Sequence, residues 1–114
     1  MIKIDTLREE NLTILIINGE VDASSSIQLD ESLGAVIHSD NTKILIDCTG
    51  LKYISSSGLG VFMSYIEDIN LKQLKVALFG MNKRVHNVFE ILGLDQLLTI
   101  VDTKEAALVI VNEV

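Results

Sequence analysis

The side chains of this protein that could do chemistry concentrate in one stretch, Ile46-Asp47-Cys48-Thr49-Gly50-Leu51-Lys52-Tyr53-Ile54-Ser55-Ser56-Ser57-Gly58-Leu59-Gly60. It leaves an apolar run and ends where helical spacing begins. Adjacent hydroxyls at a helix start can do two things. They can cap the helix by accepting hydrogen bonds from its free N–H groups. One of them can instead carry a phosphate, since free N–H groups and the positive end of the dipole favour an anion there. Gly58 and Gly60 lack the side chains that would hold a partner's backbone away. Two carboxylates are expected near the serines. Asp47 stands where the strand is expected to leave the sheet, and would tie down the loop by hydrogen bonds. Asp22, in Gly19-Glu20-Val21-Asp22, would cap a helix or face a partner.

Other chemistries find little support. His38, His86 and Cys48 are far apart in sequence and lack CxxC or HExxH spacing, so no metal or cofactor is expected. A Ser56/His86/Asp47 triad can be written down, but the Gly-x-Ser-x-Gly elbow of a serine hydrolase is missing, and no enzyme is expected. Neither a P-loop nor a Gly-x-Gly-x-x-Gly run is present. His38 ends a helix, where imidazole suits the negative dipole end. His86 reads as a rim residue of an amphipathic helix, and Cys48 as an inert small hydrophobe. Lys83 and Arg84 open a helix against its dipole, exposed either to a partner or simply to solvent.

The elements that must position these residues follow from periodicity. Residues 2–8 and 12–18 read as an antiparallel hairpin turning at Glu9-Glu10-Asn11. A helix should start near Asp22 or the following serines, with Leu29, Leu33, Val36 and Ile37 on its apolar face. Lys43–Cys48 and Leu74–Phe79 are short apolar runs, typical of parallel strands covered on both faces. Between them Leu59, Phe62, Ile66 and Ile69 keep helical spacing. Asn82 should cap a helix carrying Val85, Val88, Phe89 and Leu92, with Gly93 just past its end. Leu97–Val101 reads as a last strand, and Thr103 as the cap of a last helix with Ala107 and Ile110 inward. The fold class is therefore α/β, with a mostly parallel sheet and an antiparallel N-terminal strand pair.

Composition narrows the partners. The 114 residues fit one domain, 1–114, and 48% apolar with 22% charged residues is ordinary globular usage. Nine Lys and Arg against 16 Asp and Glu leave a formal charge of -7, which argues against nucleic acid and against an anionic membrane surface. One cysteine makes no internal disulfide. No basic leader and no apolar run of about 20 residues are present, so a cytoplasmic protein without membrane insertion is expected.

The Asp47–Gly60 segment resembles the signature of the sulfate transporter and anti-sigma factor antagonist (STAS) domain. More narrowly, it is similar to the small bacterial anti-sigma factor antagonists. Their pattern is an Asp ending a strand, a Leu-x-Tyr/Phe-Ile/Met stretch, then Asp-Ser-Ser/Thr-Gly-Leu-Gly. Gly19-Glu20-Val21-Asp22 matches a second family element, and Val85, Phe89, Gly93 and Leu94 a weaker third. The resemblance spans essentially the whole chain and implies a single STAS-like sandwich of about five strands and four helices. It implies a regulator without catalysis of its own. In the family, an anti-sigma factor that is also a serine kinase binds the unmodified antagonist and frees the sigma factor, then phosphorylates the serine at the start of the second helix. A PP2C-type phosphatase restores the active form. Carried over by position, Ser56 is the phosphoacceptor, and Asp22, Ser55, Ser57, Gly58 and Gly60 belong to the partner surface. Ser55 stands where the family most often has Asp, which leaves Ser55 and Ser57 as alternative acceptors. The alternative function is a non-switching STAS subunit of a lipid or anion transport complex, or of another signalling assembly.

Overall fold

The computed structural model describes residues 2–113. β1 (Ile2–Glu9) and β2 (Leu12–Val21) form the hairpin, with Glu10 in its turn at φ 43°. There follow α1 (Ser26–Ile37), β3 (Lys43–Ile54), α2 (Ser56–Leu71), β4 (Lys75–Phe79), α3 (Lys83–Ile91), a 3-10 turn (Leu94–Gln96), β5 (Thr99–Val101) and α4 (Lys104–Asn112). The sheet order is β1-β2-β3-β4-β5, antiparallel between β1 and β2 and parallel thereafter. The α/β class, the mixed sheet and the count of elements agree with the sequence-based expectation.

The order of the strands explains the layers. Each crossover steps to the next strand in the same direction, and parallel crossovers share one hand. α1, α2 and α3 therefore fall on one face of the sheet. Their apolar stripes, including Leu29, Leu33, Leu59, Phe62, Val85 and Phe89, share one core with Leu15, Ile17, Ile44, Ile46 and Leu78 of the strands. α4 closes the other face, where Ala107 and Val111 pack on Ile14, Leu45, Ala77 and Phe79. β3 and β4 are thus covered on both sides, which is why they read as unbroken apolar runs.

Several boundaries differ from expectation. β2 runs on to Val21, and β3 runs past Cys48 to Ile54. Asp47 is therefore mid-strand, opposite both Ile16 of β2 and Phe79 of β4. It is β4 that leaves the sheet there, at Gly80 with φ 80°. β3 continues on β2 alone, pairing Gly50 with Asn18, Leu51 with Gly19, Tyr53 with Glu20 and Ile54 with Val21. Pairing with β2 keeps Thr49-Gly50 extended, against the weak local preference of glycine for turns. At the other end, Leu97 and Leu98 lie outside the last strand, which begins only at Thr99. Gly93 does take the left-handed conformation, φ 73°, expected of a residue just past a helix end.

The core is held by close aromatic packing. The rings of Phe62 and Phe89 meet edge to face with centroids 5.5 Å apart, and Phe89 is wholly buried. Truncation to Phe89→Ala should lower stability by about 3–5 kcal/mol, the usual effect of emptying a phenylalanine site. Urea denaturation of the two proteins checks this.

Candidate functional site

Parallel strands followed by helices bring the helix N-termini to the C-terminal edge of the sheet, where ligands and partners of open α/β folds meet the protein. Here the starts of α1, α2 and α3 gather around the end of β3. The Ser55 N–H donates to the Val21 carbonyl at 2.8 Å, joining the ends of β3 and β2. Asn82 caps α3 as expected, accepting from the Val85 N–H at 2.8 Å. Its amide nitrogen also donates to the Leu51 carbonyl at 3.3 Å, which pins the start of α3 to β3.

The three serines are not equivalent. Ser55 is the N-cap of α2, with extended backbone (φ -83°, ψ 170°), and its hydroxyl oxygen accepts from the Gly58 N–H at 3.3 Å. It is half-buried, whereas Ser56 and Ser57 are exposed in the first turn. Among the described residues neither the Ser56 nor the Ser57 hydroxyl has a hydrogen-bond partner, so both stand free in solvent.

Asp22 organises a turn of its own. Its Oδ1 accepts from the Ser24 N–H at 3.0 Å, the Ser25 N–H at 2.9 Å and the Ser24 hydroxyl at 2.8 Å. In return the Asp22 N–H donates to the Ser25 hydroxyl oxygen at 2.9 Å. The helix proper begins one turn later, at Ser26, where the flanking Ser25 gives no side-chain cap. Asp22 thus caps the turn leading into α1, and its carboxylate remains exposed. The hydrogen bonds, led by the Ser25 N–H, hold its pKa down at about 2. A carboxyl with a depressed pKa stabilises the fold fully above the ordinary aspartate value near 3.9. That contribution is lost as pH falls through about 2. An NMR titration should place the Asp22 midpoint near that lower value, and a midpoint close to 4 would show that the turn does not depend on the charge.

The other candidates lie elsewhere. Asp47 Oδ1 accepts from the Thr49 N–H at 2.9 Å and the Thr49 hydroxyl at 2.6 Å, so it orders β3 and not the serine turn. His86 faces Glu90 of its own helix at 3.7 Å. With Asp47 and His86 so engaged and Ser56 unbonded, the hydrolase triad is not assembled. His38 meets Asp68 of α2 at 3.2 Å, and Cys48 is buried, which pushes its thiol pKa up. Among the described residues no cluster of three or more His, Cys, Asp or Glu side chains could hold a metal, and no helix is long and apolar enough to cross a membrane. Lys83 and Arg84 stand at the start of α3, where the sequence places them. The Arg84 guanidinium lies 6.0 Å from the ring centroid of Tyr53 on β3. Tyr53 was missed as a surface residue because Cys48 was taken to end the strand. No strand alternation marks this stretch: a register shift against β2 leaves Lys52 and Tyr53 both outward between the buried Leu51 and Ile54.

Two glycines separate structure from function. A Cβ on Gly58 would come within 2.7 Å of both Ile54 Cγ1 and Val21 Cγ1, so this glycine is required by the packing of α2 onto the strand ends. A Cβ on Gly60 would meet nothing within 4 Å. A glycine inside a helix is less stable than alanine by about 0.5–1 kcal/mol, so Gly60 has no folding reason to be there. Gly58→Ala should destabilise by about 1–3 kcal/mol through overpacking. Gly60→Ala should raise stability by about 0.5–1 kcal/mol. Thermal melts of the two variants, shifting in opposite directions, are the check.

Comparison with known proteins agrees with this geometry. The STAS domain family model matches residues 3–107, and the chain belongs to that family. The anti-sigma-B factor antagonist of Listeria monocytogenes is 31% identical over 86 residues, 75% of either chain. An anti-sigma factor antagonist from Mycobacterium paratuberculosis superposes with a TM-score of 0.91 at 19% identity, covering 99% of this chain and 96% of its own. The Bacillus cell fate determinant SpoIIAA in its phosphorylated form gives 0.68 at 18% identity, over 95% and 96% of the two chains. Within the STAS family, then, this chain groups with the anti-sigma factor antagonists.

Proposed function

We propose that this protein is a cytoplasmic anti-sigma factor antagonist controlled by phosphorylation of Ser56. Unmodified, it binds an anti-sigma factor that is also a serine kinase, using the start of α2 and the Asp22 turn, and so releases a sigma factor for transcription. The kinase transfers a phosphoryl group to Ser56, the complex parts, and a PP2C-type phosphatase resets the protein. The observation that carries this reading is the division of labour among the serines. Ser55 is spent as the cap, while Ser56 presents a free hydroxyl at the position matching the family's acceptor. The Listeria relative's description and the phosphorylated state of the Bacillus neighbour support it.

The charge argument is local. A phosphate at the first residue of a helix is favoured by the helix dipole and adds about -1.5 to -2 charges. The domain therefore keeps its fold, and the effect falls on whatever faces the helix. Like charges a few ångströms apart at an interface cost on the order of one to several kcal/mol. Each ~1.4 kcal/mol is tenfold in affinity, enough to part a micromolar complex.

With the purified kinase, Ser56→Ala should bind within about twofold of the parent and take up no phosphate by intact-mass analysis. Ser56→Asp should melt at the same temperature or slightly higher, yet bind about tenfold or more weakly. Stoichiometric phosphorylation of Ser56→Ala would move the acceptor to Ser57. Unchanged binding by Ser56→Asp would favour a permanent subunit over a switch.

A further inference from the structure

We propose that Arg84, stacked on Tyr53, is a second charge-reading element of this docking face and takes a carboxylate of the partner protein. The inference rests on the docking face proposed above, but on different residues. Arg84 is a poor choice for the fold. It occupies the first turn of α3, where the helix dipole disfavours a cation. Among the described residues it joins no ion pair and makes no hydrogen bond; the pairs present are Lys3–Asp5, His38–Asp68 and His86–Glu90.

What it has is a platform. The guanidinium sits 6.0 Å from the Tyr53 ring centroid. A cation over a ring face is held there while the N–H groups at its edge stay available. Tyr53 is itself 39% exposed. It precedes Ser55 by two residues on the strand that feeds α2, and the Asn82–Leu51 hydrogen bond fixes α3 beside that strand. The stack thus stands at the start of α3, on the strand that leads into the serine turn.

The charge around it selects the ligand. The protein is acidic overall, at -7, and Glu20 and Asp22 lie exposed on the β2 side of the site. On the β3 and α3 side, Lys52, Lys83 and Arg84 are all exposed. A partner covering both sides meets acid on one and base on the other. A planar guanidinium with unspent donors matches a carboxylate in a two-pronged hydrogen bond, and tyrosine and arginine are both enriched among the residues that dominate interface centres. One face would then read two signals: the state of Ser56, and an acidic side chain that marks the correct kinase.

The test uses calorimetric binding of the full chain to the purified kinase, at two salt concentrations, with and without nucleotide. Arg84→Gln should weaken binding about tenfold or more and flatten its salt dependence. Arg84→Lys should fall between, and Arg84→Glu should bind more weakly than Arg84→Gln. Tyr53→Leu should also weaken binding, with the double variant no worse than Arg84→Gln alone, because the ring acts through the guanidinium. Thermal melts of each variant separate loss of binding from loss of fold. Binding of Arg84→Glu within twofold of the parent, while Ser56→Asp still releases, would overturn the role of Arg84 and leave the docking face standing. If the parent does not bind the kinase at all, the docking face falls and Arg84 with it; if Ser56→Asp binds like the parent, the switch falls while the Arg84 variants still decide the carboxylate contact. An Arg84 effect seen only with nucleotide present would assign the anion to a nucleotide phosphate and overturn the carboxylate.

Discussion

β3 outruns β4. Beyond Asp47 its backbone is paired on one side only, to β2, and it continues to Ile54 as half of a ribbon whose last pairs, Tyr53–Glu20 and Ile54–Val21, lie beyond those β2 makes with β1. The serine turn and the start of α2 are built on the tip of that ribbon. The Ser55 N–H bond to the Val21 carbonyl locks the tip. Gly58 lets the first turn of α2 settle directly onto Ile54 and Val21. With one strand edge freed, α3 can pin itself to Leu51 through Asn82 and place Arg84 over Tyr53. Had β4 been as long as β3, its continuation would have occupied the edge against which α3 now starts.

The site is divided between groups that are used up and groups that are left free. The Ser55 hydroxyl caps a helix and the Asp22 carboxylate closes a turn, so each satisfies backbone N–H groups that would otherwise be orphaned. The Ser56 hydroxyl, the space above Gly60 and the Arg84 donors satisfy nothing within the chain. Folding accounts for the first set. The second set has no such role among the described residues, and it lies at the pole of the sheet where we propose the partner binds. In the proposed switch a phosphate at Ser56 would act within that set, leaving the capped turn intact and changing the charge presented outward.

Much of this was legible in sequence. The apolar face of α1, the buried Val85 and Phe89 of α3, the caps at Asn82 and Thr103 and the left-handed Gly93 follow from local rules that act over three or four residues, whereas Leu92, expected on the apolar face of α3, lies just past its end and is exposed. The identity of the serine segment was equally legible, because its motif lies in one continuous run. The extent of β2 and β3 was not. Asn18-Gly19 and Thr49-Gly50 look like turns, and what keeps each of them extended is the other strand, far away in sequence. The same error hid Tyr53 and placed Asp47 at a strand end where it does not lie.

By itself, then, the sequence determined the class of the fold, the order of its elements and the run of residues that carries the family motif, since periodicity, caps and a contiguous motif are properties of neighbouring residues. Only the tertiary structure decided that Gly58 serves packing while Gly60 does not, and that an arginine from α3 stands over a tyrosine of β3. Those outcomes depend on distances between segments 30 residues apart, such as the Asn82–Leu51 bond across 31 positions, and no local preference encodes them.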